Sequence, residues 1–128
     1  MISSTIINPK GSWGFWTNKQ QQELAEAANN TSVGEKLVFE NDEFKLWSIH
    51  LAAGQKLPFH KHALRYFWTA LTSGESRSYY SDGSVRQTKY QKGDTAYFAD
   101  VSSNHFFIHN LENIGETELI FSTVEFLK

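Results

Sequence analysis

The chain contains no cysteine among its 128 residues. That removes disulfides, thiolate nucleophiles, cysteine-ligated zinc and iron–sulfur clusters together. Proline is scarce at 2 residues, and methionine occurs once. Neither sign of charge dominates, with 12 Lys and Arg against 14 Asp and Glu, a formal net charge of −2. No basic stripe therefore points to nucleic acid. No apolar run approaches ~18 residues, so no membrane-spanning helix is expected. The opening MISSTIINPKGSW lacks a basic stretch followed by an apolar run, so no signal peptide is read and a cytoplasmic location is expected. Nucleotide-binding glycine patterns and the G-x-S-x-G nucleophile elbow are also missing.

Aromatic residues are abundant, with 4 Trp, 5 Tyr and 10 Phe, and five histidines are the only good metal-binding nitrogens. Aromatic-rich, proline-poor composition favours strands. Residues 1–32 read as an N-terminal extension, either laid on the main body or a partly frayed arm. It carries the cluster Trp13, Phe15 and Trp16 and a helix over Thr17–Asn30, in which Thr17 and Gln20 fit a capping box. From residue 33 to 128 the pattern turns to period two. Strands are expected at Lys36–Phe39, Phe44–Leu51, Lys56–His62, Tyr66–Leu71, Ser76–Tyr80, Val85–Tyr90, Thr95–Phe98, His105–Asn110 and Glu118–Phe126. Asp82-Gly83 is the strongest turn signal, because a tight primed turn needs positive φ at both positions. Many short, evenly spaced strands predict an all-β sandwich or barrel.

His60 and His62 flank Lys61, so in a strand they share a face roughly 7 Å apart and can converge on one cation. Two surface histidines are the bland alternative. His105 and His109 also share a face but stand roughly 13 Å apart along a straight strand, so at most one can join the first pair. His50 lies opposite the apolar face Trp47, Ile49 and Leu51 and is expected outside.

Gly54, His60, His62 and Gly74 at this spacing resemble the first motif of the cupin superfamily, G-x5-H-x-H-x3,4-E-x6-G. Gly93, Ala99, Val101, His105 and His109 resemble the second, G-x5-P-x-G-x2-H-x3-N. Stretches such as RYFWTALTSG, YYSDGSV and KGDTAYF resemble small bacterial cupins associated with β-alanine degradation. The resemblance implies a double-stranded β-helix, an RmlC-like jelly-roll barrel, with a short N-terminal helix. It implies metal ligands His60, His62 and His105, the last one residue late. The glutamate ligand position falls on Phe67, or on Tyr66 with the shorter gap, so a three-histidine site without a carboxylate is expected. Phe67, Tyr97, Phe107 and His109 are then expected to line the pocket. If Phe67 points inward, Tyr66 and Trp68 point outward, which predicts a homodimer interface there, with Trp13–Trp16 as a further contributor.

Three neutral imidazoles leave a divalent charge uncompensated, which favours an anionic small-molecule chelator or O2 after substrate binds. Fe, Zn, Ni or Mn would each suit the site, since imidazole does not choose among them. The readings carried forward are a metal-dependent enzyme, such as a dioxygenase, acting on a small carboxylate- or carbonyl-bearing metabolite; a non-catalytic small-molecule-binding module; and a cupin with a vestigial site. Arg65, Arg77 and Arg86 could each meet a substrate carboxylate or be solvated surface charges.

Overall fold

A computed structural model describes residues 2–128. The chain runs β1 (Ser3–Asn8), α1 (Asn18–Glu26), β2 (Lys36–Glu40), β3 (Phe44–Leu51), β4 (Lys56–His62), β5 (Tyr66–Ala70), β6 (Gly74–Tyr79), β7 (Val85–Tyr90), β8 (Thr95–Phe98), β9 (Phe107–Asn113) and β10 (Leu119–Phe126). Two five-stranded antiparallel sheets result, one in the order β1-β7-β6-β9-β4 and the other β2-β3-β10-β5-β8. They face each other as a cupin double-stranded β-helix, the all-β architecture that the period-two pattern and the motif spacing imply. All nine expected strands are present; β1 is an addition.

Alternation along the strands separates an inner and an outer layer. Ile49, Leu51, Leu57, Ala70, Tyr90, Leu111, Leu119 and Phe121 form the apolar base between the sheets. The β4–β9 sheet also has its outer face covered, by Trp16, Ala27 and the half-buried Leu24 on Phe59, Tyr79, Val85 and Ile108. The segment 2–30 is therefore built into the fold, with β1 pairing along β7 and α1 packed outside. The Thr17–Gln20 capping box forms as expected, but the helix stops at Glu26, capped by Ala27.

The chain turns at Asp82-Gly83, although only Gly83 takes a positive φ, of 89°. The Asp82 carboxylate instead accepts from the backbone N–H of Ser84 at 2.8 Å, which holds the turn without left-handed strain at Asp82. A second reason favours glycine here: a Cβ would meet the Trp13 ring at 3.0 Å, beside the Trp16 Nε1 hydrogen bond of 3.0 Å to the Gly83 carbonyl.

Strand β5 reverses the expected phase. Tyr66, Trp68 and Ala70 face the interior: Tyr66 is 3% exposed, and Trp68 packs edge-on to Tyr90 at 5.3 Å and Phe121 at 5.5 Å. The outward face expected of Tyr66 and Trp68 is therefore not the one they take. Phe67 faces outward, opposite Val124 and Tyr97 and 6.0 Å from the Phe126 ring, so it does not line the pocket. The cause is legible after the fact: both faces of β5 are equally apolar, and period alone cannot choose between them. Trp16 likewise packs on its own chain, stacked on Phe59 at 5.6 Å. Replacing Trp16 by Ala is expected to cost about 3–5 kcal/mol, typical of a buried tryptophan. Urea unfolding followed by far-UV dichroism checks this, and a loss under about 1 kcal/mol would show the outer layer to be dispensable.

Candidate metal centre

The site grows from one cross-strand pairing. Strand β4 lies antiparallel to β9 with His60 opposite His109, Lys61 opposite Ile108 and His62 opposite Phe107. His60 and His109 thus emerge side by side on the inner face, with His62 on the diagonal. Their ring atoms converge: His60 Nε2 and His62 Nε2 lie 3.1 Å apart, and His62 Nε2 and His109 Nε2 3.2 Å apart.

His105, the expected third ligand, is not there. Strand β9 begins at Phe107, leaving His105 exposed in the preceding loop, where its Nδ1 lies 3.1 Å from the Asp100 carbonyl. The expectation that only one of His105 and His109 could join the pair agrees with the structure. The choice between them does not. The strand's start two residues late moves the motif match onto His109, which was expected in the pocket. His50 is exposed on the outer face, as its alternation implies.

The donor set fits a divalent ion. The Pro58 carbonyl, 2.8 Å from His60 Nδ1, can only accept, so that nitrogen carries the proton and Nε2 presents a lone pair. Nitrogens bound to one ion at about 2.0–2.1 Å lie about 2.9 Å apart at right angles and about 3.4 Å apart at the tetrahedral angle. The observed 3.1 and 3.2 Å fall between these; the three ligand atoms as a set spread over up to 4.8 Å, so His60 and His109 would have to draw together around an ion. Neutral imidazoles alone satisfy the cluster poorly, because a neutral Nε2 is either donor or acceptor and His62 Nε2 faces two partners. The Nδ1 atoms of His62 and His109 are buried without a hydrogen-bond partner among the described residues.

Burial keeps all three rings uncharged and ready to coordinate. It lowers the His60 pKa to about 4. His62 and His109 are pushed well below the ordinary value, first by desolvation and then by neighbouring histidines. Among the described residues no carboxylate joins the cluster. Where the resemblance would put a glutamate, Tyr66 stacks on His62 at 4.0 Å and on Phe98 at 4.6 Å.

The histidines line a cavity of about 270 Å³ between the sheets. Its walls are chiefly Val33, Ile49, Leu57, Leu111 and Phe121, with Ser78, Tyr66, Tyr80, Thr88 and Arg86 supplying polar atoms. Tyr97 is 54% exposed and turned outward, its hydroxyl accepting from Arg65 at 2.8 Å, so it stands outside this cavity. Phe107 lies against the cluster instead, 5.0 Å from His62 and 5.1 Å from His109. Tyr80 and Arg86 complete the site. Tyr80 bridges to His109 through the backbone, with its ring 5.0 Å from the imidazole. The sequence placed Tyr80 at the end of the strand expected at Ser76–Tyr80 but gave no sign of its cross-strand bridge to His109, which lies far along the chain.

The sequence matches no protein-family model, and it matches no curated protein. Similar folds exist among solved structures. A cupin domain from Bordetella pertussis is 20% identical, with a TM-score of 0.62 over 73% of this chain and 91% of its own. A double-stranded β-helix protein from Klebsiella pneumoniae is 21% identical, with a TM-score of 0.57 over 84% and 85%. An RmlC-like cupin from Methanocaldococcus jannaschii is 18% identical, with a TM-score of 0.56 over 71% and 76%. The class defined here is thus a cupin-fold protein with a three-histidine cluster that could hold a metal ion. Among the described residues, no helix is long and apolar enough to cross a membrane.

Two outcomes are expected. His109→Ala should lose metal uptake at least tenfold, whereas His105→Ala should bind as the parent does, by elemental analysis after dialysis. Parental uptake by the His109 variant would remove that residue from the ligand set. The second concerns pH. Unfolded histidines take up protons as pH falls through 6.5, while the folded His60 does so only near 4. The unfolded state then binds more protons, so metal-free stability falls with pH by up to about 1.4 kcal/mol per unit for each such histidine. Urea midpoints between pH 7.5 and 5 should show this slope, and it should be shallower in His109→Gln.

Proposed function

We propose that the protein is a metal-dependent enzyme that acts on a small carboxylate- or carbonyl-bearing metabolite, with O2-dependent oxidation (dioxygenation) as its reaction class. The observation that carries this reading is the convergence of three neutral imidazole nitrogens, without a carboxylate, on a small cavity with largely apolar walls. His60, His62 and His109 would hold one divalent ion, which when bound supplies Lewis acidity and open coordination positions.

The chain's other residues favour oxidation over proton-transfer chemistry. No Asp or Glu lines the cavity among the described residues, so no conventional general base stands near the substrate. The polar groups nearest the histidines are phenols that stay protonated: burial raises Tyr66 well above its ordinary pKa and Tyr80 to about 12. Neither hydroxyl has a hydrogen-bond partner among the described residues, so both can donate to a substrate oxygen that gains negative charge. Val33, Leu57, Leu111 and Phe121 exclude water, and Tyr66 fixes the plane of the His62 ring. A cavity of about 270 Å³ has the volume of about nine waters, which limits the substrate to a small metabolite.

The test begins with protein purified without added metal. Elemental analysis should give about one ion per chain, absent from the His60→Ala, His62→Ala double variant. Reconstituted with iron(II), the parent should consume O2 with at least one member of a panel of small keto acids, diketones and thiol acids. Metal retention without turnover would make the protein a binding module, and failure to load any divalent metal would overturn the reading.

A further inference from the structure

Among the described residues, Arg86 is the one cation that lines the cavity, and it is at the same time exposed, which places it at the mouth. Its backbone is fixed on both sides, since β7 pairs Arg86 with Ser78 of β6 and with Ile6 of β1. Its guanidinium lies over the Tyr80 ring at 4.8 Å, and the other neighbour of that ring is His109, 5.0 Å away. The Tyr80 ring thus lies against both the Arg86 guanidinium and the His109 imidazole. Among the described residues no carboxylate pairs with Arg86. By contrast, Arg65 is engaged with Tyr97 and the Lys128 carbonyl, and Arg77 lies over Phe15 on the outer side.

We propose that Arg86, set on Tyr80, is the specificity residue that receives the free carboxylate of a bifunctional acid whose other end binds at His60, His62 and His109. This rests on the metal reading above and narrows its substrate class. The guanidinium fork matches a carboxylate with two parallel bonds of about 2.7–2.9 Å. With the carboxylate at Arg86 and the other donor at the histidines, both against the same Tyr80 ring in a cavity of about 270 Å³, the ligand is a short one. The substrate is a short-chain acid bearing a thiol, hydroxyl or carbonyl at its far end. Neutral diketones and amides of the same length are disfavoured, because they leave the guanidinium unpaired when the ligand covers the mouth.

The probes are 3-mercaptopropionate and its carboxamide, titrated into cobalt(II)-loaded protein and read by thiolate-to-cobalt absorption. The acid should bind at least tenfold more tightly than the amide. Arg86→Gln should bring the acid down to the level of the amide and leave the amide unchanged. Arg86→Lys should keep part of the preference, since it retains the charge but not the fork. Thermal melts of both variants check that the exposed substitution leaves the fold intact. Equal binding of acid and amide by the parent, or a preference that survives in Arg86→Gln, overturns the proposal. A second arm uses metal-free protein with butyrate against butyramide, read on the Trp68 indole resonance. If cobalt does not load but butyrate still shifts Trp68 through Arg86, only the metal reading falls. If butyrate shifts nothing in a protein that takes no cobalt, both fall.

Discussion

The pairing of His60 with His109 across β4 and β9 is the constraint on which the rest of the molecule depends. Side chains alternate faces along a strand, so this register decides the inner and outer layers at once. It sends His60, His62 and His109 inward. It sends Phe59 and Ile108 outward onto Trp16 and Ala27. A slip of one residue would exchange the two sets, turning Phe59 and Lys61 into the cavity and His60 and His62 out onto the Trp16 layer. The site is therefore protected by the outer layer: the apolar contacts that make the slip costly lie on the opposite face from the chemistry. Strand β4 is also at the edge of its sheet, where register is least restrained. Asn30, just after the helix, holds that edge. Its side chain donates to the Phe59 carbonyl at 2.8 Å, and its own carbonyl accepts from the Lys61 N–H at 2.7 Å.

This arrangement explains why an N-terminal segment is built onto a barrel that already has two sheets. Three imidazoles are packed in a space with apolar walls and no counter-charge, and two of their Nδ1 atoms lack partners. Each buried polar atom without a partner costs about 1–3 kcal/mol. The Trp16 layer offsets part of that by burying aromatic area on the far side of the same strands, within a few residues of the histidines it supports. Stability is lost at the centre of the site and recovered one layer away, a distribution typical of functional clefts.

How far the sequence could be read depended on asymmetry. Strand positions and the histidine pair were legible, because β-branched and aromatic residues alternate with polar ones there. Strand β5 was not, because Tyr66-Phe67-Trp68-Thr69 is apolar on both faces, and the real arbiter is a tertiary contact, Trp68 against Tyr90 and Phe121. Strand β1 was missed because its partner β7 is distant in sequence and its own residues are mostly exposed. The choice between His105 and His109 turned on where β9 begins. The Ser102–His105 bridge closes a small turn before the strand, so His105 is spent in a loop. A motif match one residue out of place was itself the sign that the alignment belonged elsewhere.

The same geometry gives the cavity a consistent charge logic. In cupins a glutamate ligand would place a negative charge beside the ion; here Tyr66 takes that neighbourhood and stacks on His62 instead. A neutral aromatic in place of a carboxylate raises the net positive charge at a dry site, where Coulomb energies fall off slowly with distance. Arg86 adds a further positive charge at the mouth and already depresses His109 through its field. Nothing in the cavity wall answers these charges, since its remaining polar groups are hydroxyls. With an ion held as proposed, a ligand with an anionic group at each end would complete the charge balance with the fewest atoms. On the metal reading proposed above, the absence of a carboxylate from the cluster and the placement of Arg86 would act together, each favouring an anionic ligand.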